Sequence, residues 1–373
     1  FWGRMIFLLG LMWVALGVYC LYVILFITGL SRLKKTPKKT SLSYCPSVSV
    51  VMAVRNESKN LNSLLEDLVA QDYPINKLEI IVADDRSTDG TWKIITSFTN
   101  EYLNFNGVQI TKKSNKMTPK KHALSEAISI ARGTIILSTD GDCRVPKTWV
   151  SSMVGEFENN TGVVAGFSSV ETESRLFHLF QRIDFLSLMS ANAGAMGVGF
   201  SWAGSGQNLA YKKSYFNQVD GFFPVANEVS GDDIYLIQSI SQVGGGSFNP
   251  DPDGAVMTLP VDSLWQFINQ RIRWASNSQK QYQSQIWFLV FLLSVYIVNV
   301  SLLLHVVLGV FTLTFILMWV FKVFLEGVII YLGGWISKTP VSFPVFLLWS
   351  LVQIVYIPLM GLLGVSGRFS WKP

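Results

Sequence analysis

Charge, cysteine and histidine are scarce in this chain. Of its 373 residues only 15% are charged, three are cysteine and three are histidine. Cys20, Cys45 and Cys143 stand at no metal-binding spacing, and no disulfide framework is expected from them. His122, His178 and His305 read as ordinary helix or loop residues rather than ligands. The net charge is only +5, and no aromatic stripe interleaves with the basic residues, which argues against a nucleic-acid partner. Hydrophobicity fills the place of charge: 50% of the residues are apolar, more than an ordinary soluble domain carries. Part of the chain is therefore expected in lipid.

Met5 to Leu30 is uncharged and almost wholly apolar, and at about 1.5 Å per residue it is long enough to cross a hydrocarbon core of about 30 Å. A signal peptide is the competing reading, but the run exceeds the usual apolar core of one and no clear small-residue cleavage site follows. Arg32, Lys34, Lys35, Lys38 and Lys39 come next, a cluster that the positive-inside bias holds in the cytoplasm. From Ile286 the chain is again apolar, and three spans are expected near 286–305, 308–332 and 342–364, broken around Gly333-Gly334 to Pro340. One of the three is allowed to be interfacial, because four spans put the C-terminus outside while Arg368 and Lys372 disfavour that side. Lys322 and Glu326 are one helical turn apart, which leaves two readings open: an intramembrane pair, or a shallow position with snorkelling. The expected organisation is an N-terminal transmembrane helix (1–31), a basic linker (32–46), a cytosolic domain (47–280) and a C-terminal membrane region (281–373). The expected location is multi-pass in the cell membrane.

Between Val48 and about Gly166 short apolar runs alternate with helical stretches, the pattern of βαβ units and a mostly parallel sheet with helices on both faces. Val48–Val54 reads as a first strand, 58–68 as the helix behind it, and Leu78–Ala83 as a second strand. Ligands of such sheets sit beyond the carboxyl ends of the strands. Three polar strand ends stand there: Arg55-Asn56-Glu57, Asp84-Asp85-Arg86-Ser87-Thr88-Asp89-Gly90-Thr91, and Asp140-Gly141-Asp142 after the run 133–139. Each taken alone also reads as a solvated turn, and Ser87 or Asp89 as a cap for a helix from Thr91. Residues 174–190 form an amphipathic helix, either packed on the core or lying at the bilayer interface.

In this order the motifs resemble the inverting family-2 glycosyltransferases of GT-A fold. Asp84 to Thr91 is similar to the Asp-Asp-x-Ser-x-Asp-x-Thr nucleotide loop, and Lys120-Lys121-His122-Ala123-Leu124 to the Lys-x-x-Ala-Leu segment. Asp140-Gly141-Asp142 is similar to the metal motif, and Gly204 to Asn208 with Gly221-Phe222 to the acceptor-side strand and loop. Asp232-Asp233-Ile234-Tyr235-Leu236 stands where the family has Glu-Asp-x-x-Leu, and Gln270-Arg271-Ile272-Arg273-Trp274 fits Gln-x-x-Arg-Trp. Asp232 in place of Glu is the one departure, and it leaves Asp233 intact.

The resemblance implies an α/β nucleotide-sugar-binding domain joined to membrane helices, and a set of roles. Ala53, Arg55, Glu57, Asp85, Ser87, Lys120 and Asp140 would bind the nucleotide sugar. Asp142, with Asp140, would hold Mg²⁺ or Mn²⁺. Asp233, beside Asp232, would be the general base, on a helix expected to begin at Ile234. Gln270, Arg273 and Trp274 would serve the diphosphate and the acceptor, or else form an interfacial belt. The implied activity is transfer of a sugar, from a UDP-sugar by expectation, to an acceptor hydroxyl. Few spans and a short segment after Trp274 lean the reading towards a lipid acceptor. A processive polysaccharide synthase of the hyaluronan, chitin or cellulose type is the alternative, and a catalytically silent membrane assembly module the remote one. The oligomeric state is not legible in these residues.

Overall fold

The computed structural model describes residues 2–34, 45–172, 174–277 and 286–366. Most of the expected basic linker (35–44), together with Arg368 and Lys372, lies outside the described residues. The chain forms two compact units: 1–31, 172–198 and 260–373 in one, and 32–171 with 199–259 in the other.

The second unit is the sheet unit. Its strands β1 (Val48–Val54), β2 (Leu78–Asp85), β3 (Phe105–Ile110) and β4 (Ile135–Ser138) are short, rich in β-branched residues and buried on both faces along β1 and β2, as strands covered by helices must be. β5 (Cys143–Arg144), β7 (Ser168–Val170) and β10 (Val256–Thr258) make a small second sheet. β6 (Val163–Gly166), β8 (Leu209–Lys212) and β9 (Gly246–Asn249) complete the main one, in the order β3-β2-β1-β4-β8-β6-β9. β1 pairs in parallel with β2 and β4, whereas β8 runs antiparallel to β4 and β6. The chain leaves β1 towards β2 and β3 and then returns to β1's other side as β4. That reversal opens a crevice at the carboxyl ends of β1 and β4, where open α/β sheets bind ligands.

Alternate residues of β1 and β2 face opposite layers. Val50, Met52, Ile80 and Val82 join Leu61, Leu64, Leu65 and Leu68 of α2 (Leu61–Val69) and Trp149 of α5 (Trp149–Gly155) in one core. On the other face α4 (Pro119–Ile130) lies against β1 and β2, with Ala123, Leu124, Ala127 and Ile128 buried. α3 (Thr91–Glu101), α7 (Lys213–Gln218) and α8 (Asp232–Gly244) complete the unit. α2 begins at Leu61 rather than 58, because Asn56 turns through a left-handed conformation (φ 55°) and the Ser58 amide is taken by Asp89. α8 begins at Asp232 rather than Ile234, since Gly231, at φ 88°, supplies the turn before it.

The other unit is helical. α1 (Trp2–Lys34), α6 (Leu176–Gly197), α9 (Leu264–Ser276), α10 (Ile286–Val307), α11 (Leu313–Ile336) and α12 (Phe343–Ser366) belong to it. Gly10–Leu33 of α1 and the whole of α10, α11 and α12 are long and apolar enough to cross a membrane. The break expected from Gly333-Gly334 to Pro340 is found at 337–342. α11 runs through both glycines, because a side chain there would collide with Ser190 of α6 and with the Thr339 carbonyl and Val341, and the chain turns at Lys338, φ 54°. α6 extends seven residues beyond the expected end at 190 and meets α1 through Gly29, Gly194 and Gly197, which press backbone on backbone. α6 also packs on α11 and α12, so both it and α9 lie among the apolar helices rather than in the sheet unit. Lys322 is fully buried and bonds Glu326 (2.8 Å) and Gln353 (2.9 Å), while the Tyr19 hydroxyl donates to Glu326 (2.6 Å). Lys322 and Glu326 are thus paired and buried among α1, α11 and α12.

Candidate active site

The first two strand ends are laced together. The Asn56 amide donates to Ser87 Oγ (2.9 Å), the Thr88 amide to Asn56 Oδ1 (2.9 Å), and the Glu57 amide to Thr91 Oγ1 (2.8 Å). Asp89 accepts from the amides of Ser58 (3.1 Å) and Thr91 (2.9 Å), so it holds the first amide of α3 while Gly90 takes the N-cap position. Burial opposes charge on Asp89, but the donors from Thr91 and Ser58 outweigh it and hold its carboxyl well below the usual range. Asp85 is buried and takes both ends of the Arg86 guanidinium (2.8 and 3.0 Å), with Arg55 at 3.8 Å. Asp84, which opens the nucleotide-loop motif but was given no role of its own, is fully buried. Burial raises its carboxyl, and the like charges of Asp85 and Asp89 add to that against the hydroxyl and amide of Ser87.

The third strand end opens into a cleft. Ala53 of β1, Lys120 of α4, Asp140 beyond β4, and Asp232 and Asp233 of α8 all line it. Five residues singled out in the sequence, spread over 180 positions, thus meet in one place. Gly141 is required by contact: a Cβ there would lie 2.8 Å from Val54 and 3.2 Å from Glu57, so the turn fits against the end of β1 only without a side chain. Lys120 Nζ donates to Asp140 Oδ1 at 3.0 Å. Burial works against the lysine's charge, but Asp140, Asp232 and Asp233 together push its pKa up. Asp233 accepts from the amides of Ile234 (2.9 Å) and Gly206 (3.1 Å), and Ser138 Oγ donates to the Gly206 carbonyl (3.1 Å), so β4 and α8 are joined through that turn. Burial first, and Asp232 second, raise the Asp233 carboxyl above its ordinary value, against the two amides and Lys120.

Asp142, one residue past Gly141, is half-buried and does not line the cleft. Its carboxylate and that of Asp140 have the hard oxygen donors that Mg²⁺ and Mn²⁺ prefer. Among the described residues no group of three or more His, Cys, Asp or Glu comes together to hold a metal. At this turn Asp140 and Asp142 are the residues whose carboxylates could give oxygen ligands to a cation.

Gln270, Arg273 and Trp274 lie on α9, in the helical unit, behind a capping box made by Ser263 and Gln266. The buried arginine of this segment is Arg271. Its Nε donates to Asp184 Oδ2 of α6 (2.7 Å), and Trp349 of α12 donates to Asp184 Oδ1 (3.1 Å). The guanidinium lies 4.1 Å over the Trp274 ring and 4.3 Å over Phe267, and donates to Gln270 Oε1 (2.5 Å). Two of the three motif residues are thus held by Arg271. Asp184 was missed because a carboxylate in an amphipathic pattern reads as part of the solvated face.

Glycosyl transferase family 21 matches residues 7–372, nearly the whole chain. A probable glycosyltransferase of Bacillus subtilis, YdaM, is 28% identical over 283 residues, 73% of this chain and 65% of the relative. A beta-monoglucosyldiacylglycerol synthase of Synechocystis is 24% identical over 314 residues, 75% of this chain and 60% of the relative. A poly-beta-1,6-N-acetyl-D-glucosamine synthase of Staphylococcus epidermidis is 24% identical over 248 residues, 64% and 56% of the two chains. The chain thus spans less than two thirds of the length of these relatives. The mannosyltransferase PcManGT from Pyrobaculum calidifontis, solved with GDP-Man and Mn²⁺, superimposes with a TM-score of 0.60 at 18% identity over 95% of this chain and 99% of its own. That likeness shows the fold, an α/β GT-A domain, and four helices of the chain are long and apolar enough to cross a membrane.

Proposed function

We propose a donor, an acceptor class and residue roles for this chain, which belongs to glycosyl transferase family 21. It moves a sugar from a nucleoside diphosphate sugar, UDP-linked in our reading, to a lipid hydroxyl at a membrane, with inversion. The observation that carries this reading is the cleft in which Asp233, with a raised carboxyl pKa, shares its walls with the Lys120–Asp140 pair.

The acceptor hydroxyl loses its proton to Asp233 as its oxygen attacks the anomeric carbon, and the bond to the diphosphate breaks on the opposite face with its electron pair leaving on oxygen. The Gly206 and Ile234 amides keep the base aimed. Lys120 places a cation beside Asp140, where the departing charge collects. Asp140 and Asp142 would hold Mg²⁺ or Mn²⁺, which when bound neutralises charge on the diphosphate. Ala53, Arg55, Glu57, Asp85 and Ser87 serve the nucleoside side, while Gln270, Arg273 and Trp274 serve the diphosphate and the acceptor entrance. The catalytic domain faces the cytosol.

The lipid acceptor is favoured by four helices able to span a membrane and by the name of the Synechocystis relative. The name of the Staphylococcus relative favours the second reading, a polysaccharide product. Membranes containing the chain, given labelled nucleotide sugars, separate the two. Label in an organic-extractable lipid is the expected result, label in a high-mass polymer establishes the second reading, and no transfer with any donor overturns both.

A further inference from the structure

Two loops of the sheet unit lie beside the cleft. One, 111–118, leaves the carboxyl end of β3 and carries Lys112, Lys113 and Lys116, all exposed and, among the described residues, without an acidic partner. The other, 222–231, leads into α8 and carries Phe223, 69% exposed, and Val229, 48% exposed. They are fastened to each other. The Thr118 amide donates to the Ala226 carbonyl (2.8 Å), and the Thr118 hydroxyl and Lys121 Nζ donate to the Glu228 carbonyl (3.3 and 2.5 Å). Lys120, on the first turn of α4 just after one loop, and Phe222, at the start of the other, line the cleft.

A pair of fastened loops that carries three exposed lysines on one member and an exposed aromatic on the other has the chemistry of a bilayer surface contact. Lysines are drawn to anionic headgroups, each contributing to adhesion, and an aromatic ring enters the headgroup boundary. Neither feature serves the cleft itself, since none of these five side chains lines it. We propose that loops 111–118 and 222–231 form an anionic-membrane contact surface, through which the sheet unit meets the bilayer at the mouth of its own cleft. Its use rests on the lipid acceptor proposed above: a hydroxyl at the headgroup level reaches Asp233 without the lipid leaving the bilayer. Its geometry does not rest on that reading.

The test uses the full chain in nanodiscs of phosphatidylcholine alone, or with about one-third phosphatidylglycerol. Cys45 is replaced by Ser, the buried Cys20 and Cys143 being retained, and a nitroxide is placed at Phe223→Cys or, separately, Val229→Cys. Leu103→Cys, fully exposed before the amino end of β3, is the water-facing control. With phosphatidylglycerol, labels at 223 and 229 should be shielded from a water-soluble nickel relaxant and open to oxygen. That shielding should fall in pure phosphatidylcholine and in the Lys112→Gln/Lys113→Gln/Lys116→Gln variant. The same variant should lose about tenfold or more in transfer to a bilayer acceptor with donor hydrolysis unchanged. Labels at 223 and 229 as open to nickel as the label at 103, or shielding indifferent to the lysines, overturn the contact surface. Shielding without any labelled lipid leaves the surface standing and sinks the lipid acceptor; labelled lipid without shielding does the reverse.

Discussion

Lys120–Asp140 in the sheet unit and Arg271–Asp184 in the helical unit join the same charges at similar distances, 3.0 and 2.7 Å, in opposite surroundings. The first pair keeps 33% and 30% of its side chains exposed, and two further carboxylates act on the lysine. The second keeps 5% and 6%, with an indole donating to the acid and two aromatic rings under the base. An exposed pair contributes little to stability and is free to exchange partners. A buried one, once half is removed, strands a charge in low dielectric. In the function proposed above the Lys120–Asp140 pair is held ready for a ligand, whereas the Arg271–Asp184 pair holds helices together.

The harshest test of the sheet side is Asp233→Asn. With the general base gone, kcat should fall by about 10²- to 10⁴-fold, while thermal unfolding in detergent stays near that of the parent. A loss under about tenfold would remove the cleft from the chemistry. The pH profile carries the same argument. Asp233 acts as the carboxylate, so activity declines as pH falls through its pKa, and burial together with Asp232 has moved that pKa up. Asp232→Asn removes the like charge and should carry the acid limb to lower pH; a limb that stays or rises contradicts the pairing.

On the helical side, Asp184→Ala should destabilise the protein by about 3–5 kcal/mol, because Arg271 would stay buried without its partner. The double change Asp184→Leu/Arg271→Met should recover much of that loss. Thermal unfolding of the three proteins in one detergent checks both. If the single variant unfolds within about 0.5 kcal/mol of the parent, the contrast between the two pairs fails.

How legible these features were follows from their physics. The strand ends were readable, because a run such as Val48–Val54 is buried by its own composition and the polar residues after it mark the carboxyl edge. Lys322–Glu326 was readable as a pair by spacing alone, though its burial with Tyr19 and Gln353 required three helices to be in place. Asp184 was not readable, since only the partner 87 residues away tells a buried acid from a solvated one. Nor was the length of α6, whose last turns are set by glycines of its own and of α1. Spacing reveals what one element does; it is silent on what a distant element brings.

A smaller effect sharpens the contrast. Lys120→Met should cost less stability than Asp184→Ala, as befits a pair one-third exposed, yet raise the KM for the donor about tenfold or more. Calorimetry and donor titration report the two separately. A large stability loss with an unchanged KM would make Lys120–Asp140 a structural pair like Arg271–Asp184.

The finest test asks which side of the contrast Ser87 belongs to. Its Oγ accepts from the Asn56 amide at 2.9 Å, a bond that laces two loops, and its place in the nucleotide motif gives it a second possible duty toward the donor. Lacing alone predicts that Ser87→Ala costs about 1 kcal/mol, since Asn56 sits in a left-handed turn whose amide then loses its acceptor. Such a change leaves the KM for the donor where it was. A nucleotide contact predicts the reverse order, with KM raised several-fold and thermal unfolding hardly moved. Hydrogen exchange at the Asn56 amide decides between them without substrate, for only the lacing role exposes that proton when the hydroxyl is gone.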